Sequence, residues 1–177
     1  MCLKRQSSGG MVNFIDLKTR MLYRSLIFLV FMPVLGWSQI NKEQFYKAME
    51  SKDVSAVTQQ RKSVESMASS ASRNAYYGAI LMKEAQFLST PKAKLDQFKK
   101  GKQLLEAEIK SHSSEAEYRF LRLLIQENCP KMLGYNKEIQ ADASLIGKSF
   151  TSMSAGLQAI VRSYAANSTA LKSQGIK

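Results

Sequence analysis

The chain has 177 residues, 45% of them hydrophobic and 23% charged, which suits one domain with its own core and excludes a disordered or fibrous chain. Its 2 cysteines exclude a disulfide-stapled scaffold. A net charge of +12 would suit a polyanion, yet the lysines scatter over several predicted helices with no interleaved aromatic platform, so no nucleic-acid partner is expected.

Proline is scarce, at 3 residues, while alanine, leucine, lysine, glutamine and methionine abound. These side chains lose little rotamer freedom in a helix, and no stretch alternates with period two, so the fold is expected to be all-α. About six helices in antiparallel αα-hairpins are predicted.

Residues 21–38 read as a signal peptide. Arg24 supplies the positive start, Leu26 to Leu35 the apolar run, and Gly36 and Ser38 the small residues of a cut before Gln39. The run is shorter than the roughly 20 residues of a spanning helix, so no transmembrane anchor is expected after cleavage. Residues 1–20 read as an upstream extension, translation beginning at Met21, or else as a long n-region. The exported chain is divided into a helical domain, 39–166, and a tail, 167–177, expected to fray. Without residues 1–38 the net charge is +8, from 21 basic and 13 acidic side chains. The expected location is the periplasm or the exterior.

The first helix is expected through "KEQFYKAME", capped by Asn41, with Gln44 three residues on and Ile40 facing Phe45 as a staple. Asp53 is expected to cap the second, along which Val54, Val57 and Val64 recur. After "SMASSASRN", the stretch "AYYGAILMKEAQFL" is apolar on most sides and predicts a buried third helix. Thr90 is placed to cap the fourth, with Pro91 at its first position. That helix carries Leu95, Phe98, Leu105 and Ile109, and Gly101 marks a close approach or a weak point.

Ser114 and Glu117 match a capping box opening the fifth helix, which breaks at Cys129-Pro130. Cys129 reads as a packed helix-end residue. A short turn "PKMLG" follows, then "KEIQADASLIGKS" with Asn136 as its cap, then "SAGLQAIVRSYA" with Leu157, Ile160, Val161 and Tyr164 at helical spacing.

Two resemblances bear on this region. "NAYYGAILMKEAQ", "AKLDQFKKGKQLLEAEI" and "SSEAEYRFLRLLIQ" resemble tetratricopeptide-type helical hairpins, which implies protein or peptide binding on a helical surface. "EYRFLRLLIQENCPKMLGYNKEI" is similar to a motif of small, exported, uncharacterised proteins of Gram-negative bacteria, with the pattern EYRFLRLxIQENxPKxLxYNKxI. That resemblance implies an exported helical protein and transfers no catalytic residue.

Catalytic chemistry finds little support. His112 is the only histidine, in a turn, so neither a Ser-His-Asp set nor a zinc site is expected, and no cofactor is implied. Glu115 and Glu117, two residues apart, point to different faces. The feature that stands out is a stripe on the fifth helix, Glu115, Arg119, Arg122 and Gln126, spaced i, i+4, i+7, i+11. It has three readings: a solvent edge with a Glu115–Arg119 pair, arginines reaching acids on a neighbouring helix or carbonyls at a helix end, or a groove. In the groove, Arg119 and Arg122 would grip a partner's carboxylate or phosphate while Gln126, Tyr135 and Asn136 orient it. The expected function is a non-catalytic binding or scaffold module for a protein or peptide of the cell envelope. A basic surface protein on anionic lipid or envelope polymer is the alternative, and an enzyme the third.

Overall fold

The computed structural model describes residues 40–177. The signal stretch 21–38, the upstream residues 1–20 and the expected cut before Gln39 lie outside them. The described residues form eight α-helices and no strand. These are α1 (Lys42–Glu50), α2 (Val54–Glu65), α3 (Ala71–Ala85), α4 (Pro91–Ser111), α5 (Ala116–Asn128), α6 (Ile139–Ser149), α7 (Ala155–Ala165) and α8 (Thr169–Lys172). Single 3₁₀ turns occupy Lys131–Leu133 and Phe150–Ser152.

Several helix starts follow from local chemistry. The side chains of Asn41, Asp53, Thr90 and Ser154 accept hydrogen bonds from backbone N–H groups that have no partner within the helix. Three starts differ from expectation. α3 begins four residues before Ala75, because Ser70 accepts from Arg73 N–H and caps it there. α6 begins at Ile139 without a side-chain cap, so Asn136 does not open it. α5 is capped by Glu115, which accepts from Glu117 N–H, so the Ser114–Glu117 capping box does not form.

α3 and α4 form an antiparallel hairpin. Asn74 donates to Glu108 (3.0 Å) and Gln97 donates to Glu84 (2.8 Å), while Gly78 meets Gly101 between those pairs. A Cβ on Gly101 would lie 2.5 Å from the Gly78 carbonyl oxygen. Gly101 is therefore a close-approach point, and the missing side chains let two backbones touch. α5 then packs on α3 and against α6. Phe45, Tyr46, Tyr76, Phe120 and Tyr164, from α1, α3, α5 and α7, make a chain of aromatic contacts with centroids 4.7 to 6.2 Å apart. Such contacts add to the area the rings remove from water.

The tail does not fray. α8 buries Ala170 and Leu171, and Ile176 reaches the same core. Ser168 caps α8 and donates to Glu127 on α5 (2.7 Å), tying residues 167–177 to the domain that was expected to end at residue 166.

Candidate binding clefts at the end of helix α5

α5 is the central helix: ten of its thirteen residues are buried, including Glu117, Arg122 and Gln126. Burying charged groups is costly unless each is paired and hydrogen-bonded, so their partners decide what the helix does. Glu117 accepts from Lys42 Nζ (2.7 Å), from Tyr46 OH (3.4 Å) and, in a short bond, from Tyr76 OH. Burial, with the carboxylate alongside, pushes both phenols far above their ordinary value, so they remain donors. This cluster locks α1, α3 and α5 together.

The stripe resolves into the second of its three readings. Arg122 donates from Nε to Asp142 Oδ2 (2.7 Å) and from Nη2 to Asp142 Oδ1 (2.6 Å), a bidentate fork onto α6. Its Nη1 donates to Glu106 on α4 (2.9 Å), whose other oxygen accepts from Tyr135 OH (2.7 Å). Burial works against the charge on both partners, lowering the guanidinium's value and raising the Asp142 carboxyl. For Arg122 the two carboxylates outweigh it and hold the guanidinium charged. Arg119 donates to the Ser113 carbonyl in the turn between α4 and α5 (3.1 Å) and reaches Asp142 at 3.4 Å. Neither a Glu115–Arg119 pair nor an open arginine groove forms: Glu115 caps the helix, and Arg122 is only 4% exposed.

What this network does is hold a wall. Tyr135 is buried, edge-on to Phe98 with Lys102 over its ring, and it follows Gly134, whose positive φ of 59° suits a residue without Cβ. The turn Lys131–Leu133 is thereby clamped to α4. Between that turn and the α3–α4 corner lies an apolar cleft of about 430 Å³, lined by Met49, Met82, Ala85, Leu95, Phe98, Leu124, Ile125, Pro130, Met132 and Leu133 among others. Leu95 and Met132 are 40% and 92% exposed. Large apolar side chains thus stand in water beside a concave apolar surface.

A second, polar cleft of about 540 Å³ adjoins it and shares Met49, Lys83, Asn128 and Cys129. Gln126, Asn136, Asn167, Glu50, Glu127 and Lys131 also line it. Among the described residues Lys83 makes no ion pair, and its half-burial draws the ammonium below the ordinary lysine value, with Glu50 opposing. The Gln126 carboxamide is buried, and its Oε1 has no hydrogen-bond partner. Cys129 ends α5 with its thiol packed near the carbonyls of Gln126 and Tyr135, and burial pushes that thiol up.

The five residues singled out in the sequence thus divide. Gln126 and Asn136 line the polar cleft, whereas Arg122 and Tyr135 are held in the buried network with Glu106 and Asp142, and Arg119 bonds Ser113 and Asp142 near the start of α5. Lys83 and Met132 were missed. Lys83 had a readable signal, since it stands in the otherwise apolar run "AILMKEA". Met132 in "PKMLG" had none. Among the described residues no three His, Cys, Asp or Glu side chains are grouped to hold a metal ion, and no helix is long and apolar enough to cross a membrane. Comparison with protein-family models, curated proteins and solved structures gives no match.

Proposed function

We propose that this chain is an exported, non-catalytic binding module that holds an apolar segment of a protein or peptide of the cell envelope. The apolar cleft between the α3–α4 corner and the Lys131–Leu133 turn carries the reading: it is concave, lined by core-type side chains, and flanked by exposed Leu95 and Met132. Its volume falls in the range of about 300–1,000 Å³ typical of ligand sites. The hairpin resemblance to tetratricopeptide-type units agrees with peptide capture, and the motif at Glu117–Ile139 agrees with export.

The partner segment is acidic as well as apolar. α4 carries Lys92, Lys94, Lys99, Lys100, Lys102 and Lys110, all exposed, against Asp96 as its one exposed acid. Lys94 lines the apolar cleft itself. This basic flank speeds encounter with an acidic partner without contributing much to the affinity of the docked state. It is also the feature that favours the second reading, attachment to anionic lipid or envelope polymer.

Photocrosslinking separates the two. A photoreactive residue at Met132 is expected to give a discrete crosslinked partner in cells. One at Lys62, which lines none of the clefts, gives none, and Leu95→Asp abolishes the Met132 product. Equal crosslinking from both positions, or none at Met132, overturns the cleft as the site. Diffuse crosslinking that disappears in high salt supports polyanion attachment instead.

A further inference from the structure

We infer that the polar cleft is a subsite for the free C-terminal carboxylate of a peptide whose last apolar side chains fill the adjoining cleft. The inference rests on the peptide-binding reading above and adds which end of the peptide is held, and by what.

Two observations carry it independently. Gln126 is 4% exposed, yet its Oε1 has no hydrogen-bond partner although the residue lines the cleft. A buried polar atom without a partner is rare in a folded protein and calls for an explanation. A ligand supplies one: with the carboxamide turned to bring that sealed oxygen into the cleft, the last backbone N–H of a bound peptide donates to it. The second observation is Lys83, which lines both clefts and forms no ion pair among the described residues. An ammonium drawn half out of water gains from a carboxylate more than an exposed one does, because the local dielectric is lower.

A C-terminal residue presents an N–H and a carboxylate one Cα apart, which matches a carboxamide and an ammonium facing one cleft. A fatty acid offers the carboxylate without the donor. An aspartate or glutamate side chain offers the carboxylate at the end of a flexible arm that must be immobilised. The two acids of the cleft do not defeat an anion. Lys83 and Lys131 line the cleft together with Glu50 and Glu127, so its charges balance before a ligand arrives, and Glu127 already accepts from Ser168 Oγ (2.7 Å).

The test uses hexapeptide pools with leucine fixed at the last position, one as the free acid and one as the C-terminal amide, with binding to the purified protein read by fluorescence polarisation. The acid pool is expected to bind about tenfold more tightly, the scale of one charge-assisted contact. Lys83→Met should bring the acid-to-amide ratio close to one, whereas Gln126→Met should weaken both pools alike, because both carry the N–H that its oxygen accepts; melting temperatures confirm that both variants fold. Leu95→Asp should weaken both pools alike. Equal binding of acid and amide overturns the carboxylate subsite and leaves the apolar cleft standing. Tight binding of an amide pool with glutamate placed next to the last leucine transfers the contact to a side chain and overturns the C-terminal assignment. Failure of every pool overturns the peptide-binding reading itself.

Discussion

Gly101→Ala has an unusual sign attached to it. In an ordinary exposed helix, replacing glycine by alanine stabilises by about 1 kcal/mol, because alanine loses less backbone freedom on folding. Here the new Cβ would stand 2.5 Å from the Gly78 carbonyl oxygen and 2.9 Å from both the backbone nitrogen and Cγ of Met82. Backbone atoms cannot swing aside as a side-chain tip does, so α3 and α4 must separate by roughly 1 Å to restore ordinary contact. Overpacking of this kind costs about 1–3 kcal/mol, with the upper end apt when the neighbour is backbone. After subtracting the helix gain, the variant is expected to lose about 2 kcal/mol, a fall in Tm of about 4–8 °C for a domain of this size. Gly156→Ala is the control, since nothing lies within 4 Å of its Cβ position on α7. It should gain a few tenths of a kcal/mol, less than the interior value of about 1 kcal/mol because Gly156 stands in the first turn of α7. Urea unfolding of both variants gives the comparison. A Gly101→Ala protein as stable as the parent, or more so, would refute the close hairpin.

Three further outcomes follow from the same contacts. Asp142→Leu should cost about 3–5 kcal/mol, because it leaves Arg122 buried with only Glu106 to balance it; adding Arg122→Met should restore part of that loss, as a double-mutant cycle in urea will show. Leu171→Ala should cost about 2–5 kcal/mol by the same assay, whereas a fraying tail would lose less than about 0.5 kcal/mol. The Tyr77 hydrogen bond and the Arg61 charge hold the Glu65 carboxyl below its usual 4.5, so its contribution is complete above that value and fades as pH falls through the lower folded value. Tyr77→Phe should therefore lose stability at pH 7 and show a shallower decline on acidification; an unchanged acid profile contradicts the pairing.

What was legible in the sequence depended on how far each cause lies along the chain. Asn41, Asp53 and Thr90 cap helices through atoms two or three residues away, so the sequence pattern carries the contact. The breadth of the apolar surface on "AEYRFLRLLIQEN" likewise identified α5 as the central helix. Glu117 misled because a capping-box glutamate and a buried one look alike in sequence. Only its distant partners, Lys42, Tyr46 and Tyr76, tell them apart. Arg122 was noticed for the right reason, as a charge in an apolar run. Its answering acid, Asp142, stands 20 residues on, in a similarly apolar stretch, and only the packing of α6 on α5 joins them. The tail was misjudged because α8 is four residues long, too short to show a period, although it carries a leucine that is fully buried. The arginines of the stripe are taken up by internal ion pairs, and the clefts lie at the C-terminal end of the same helix.

The central claim is that the end of α5, rather than its arginine stripe or the basic face of α4, meets the partner. Amide chemical-shift mapping by NMR, with the leucine-ended free-acid pool added to the protein, tests it directly. Shifts concentrated at Lys83–Gln86 and Asn128–Leu133 that persist in salt are expected. Shifts confined to the exposed lysines of α4 and erased by salt, or none at all, would contradict it.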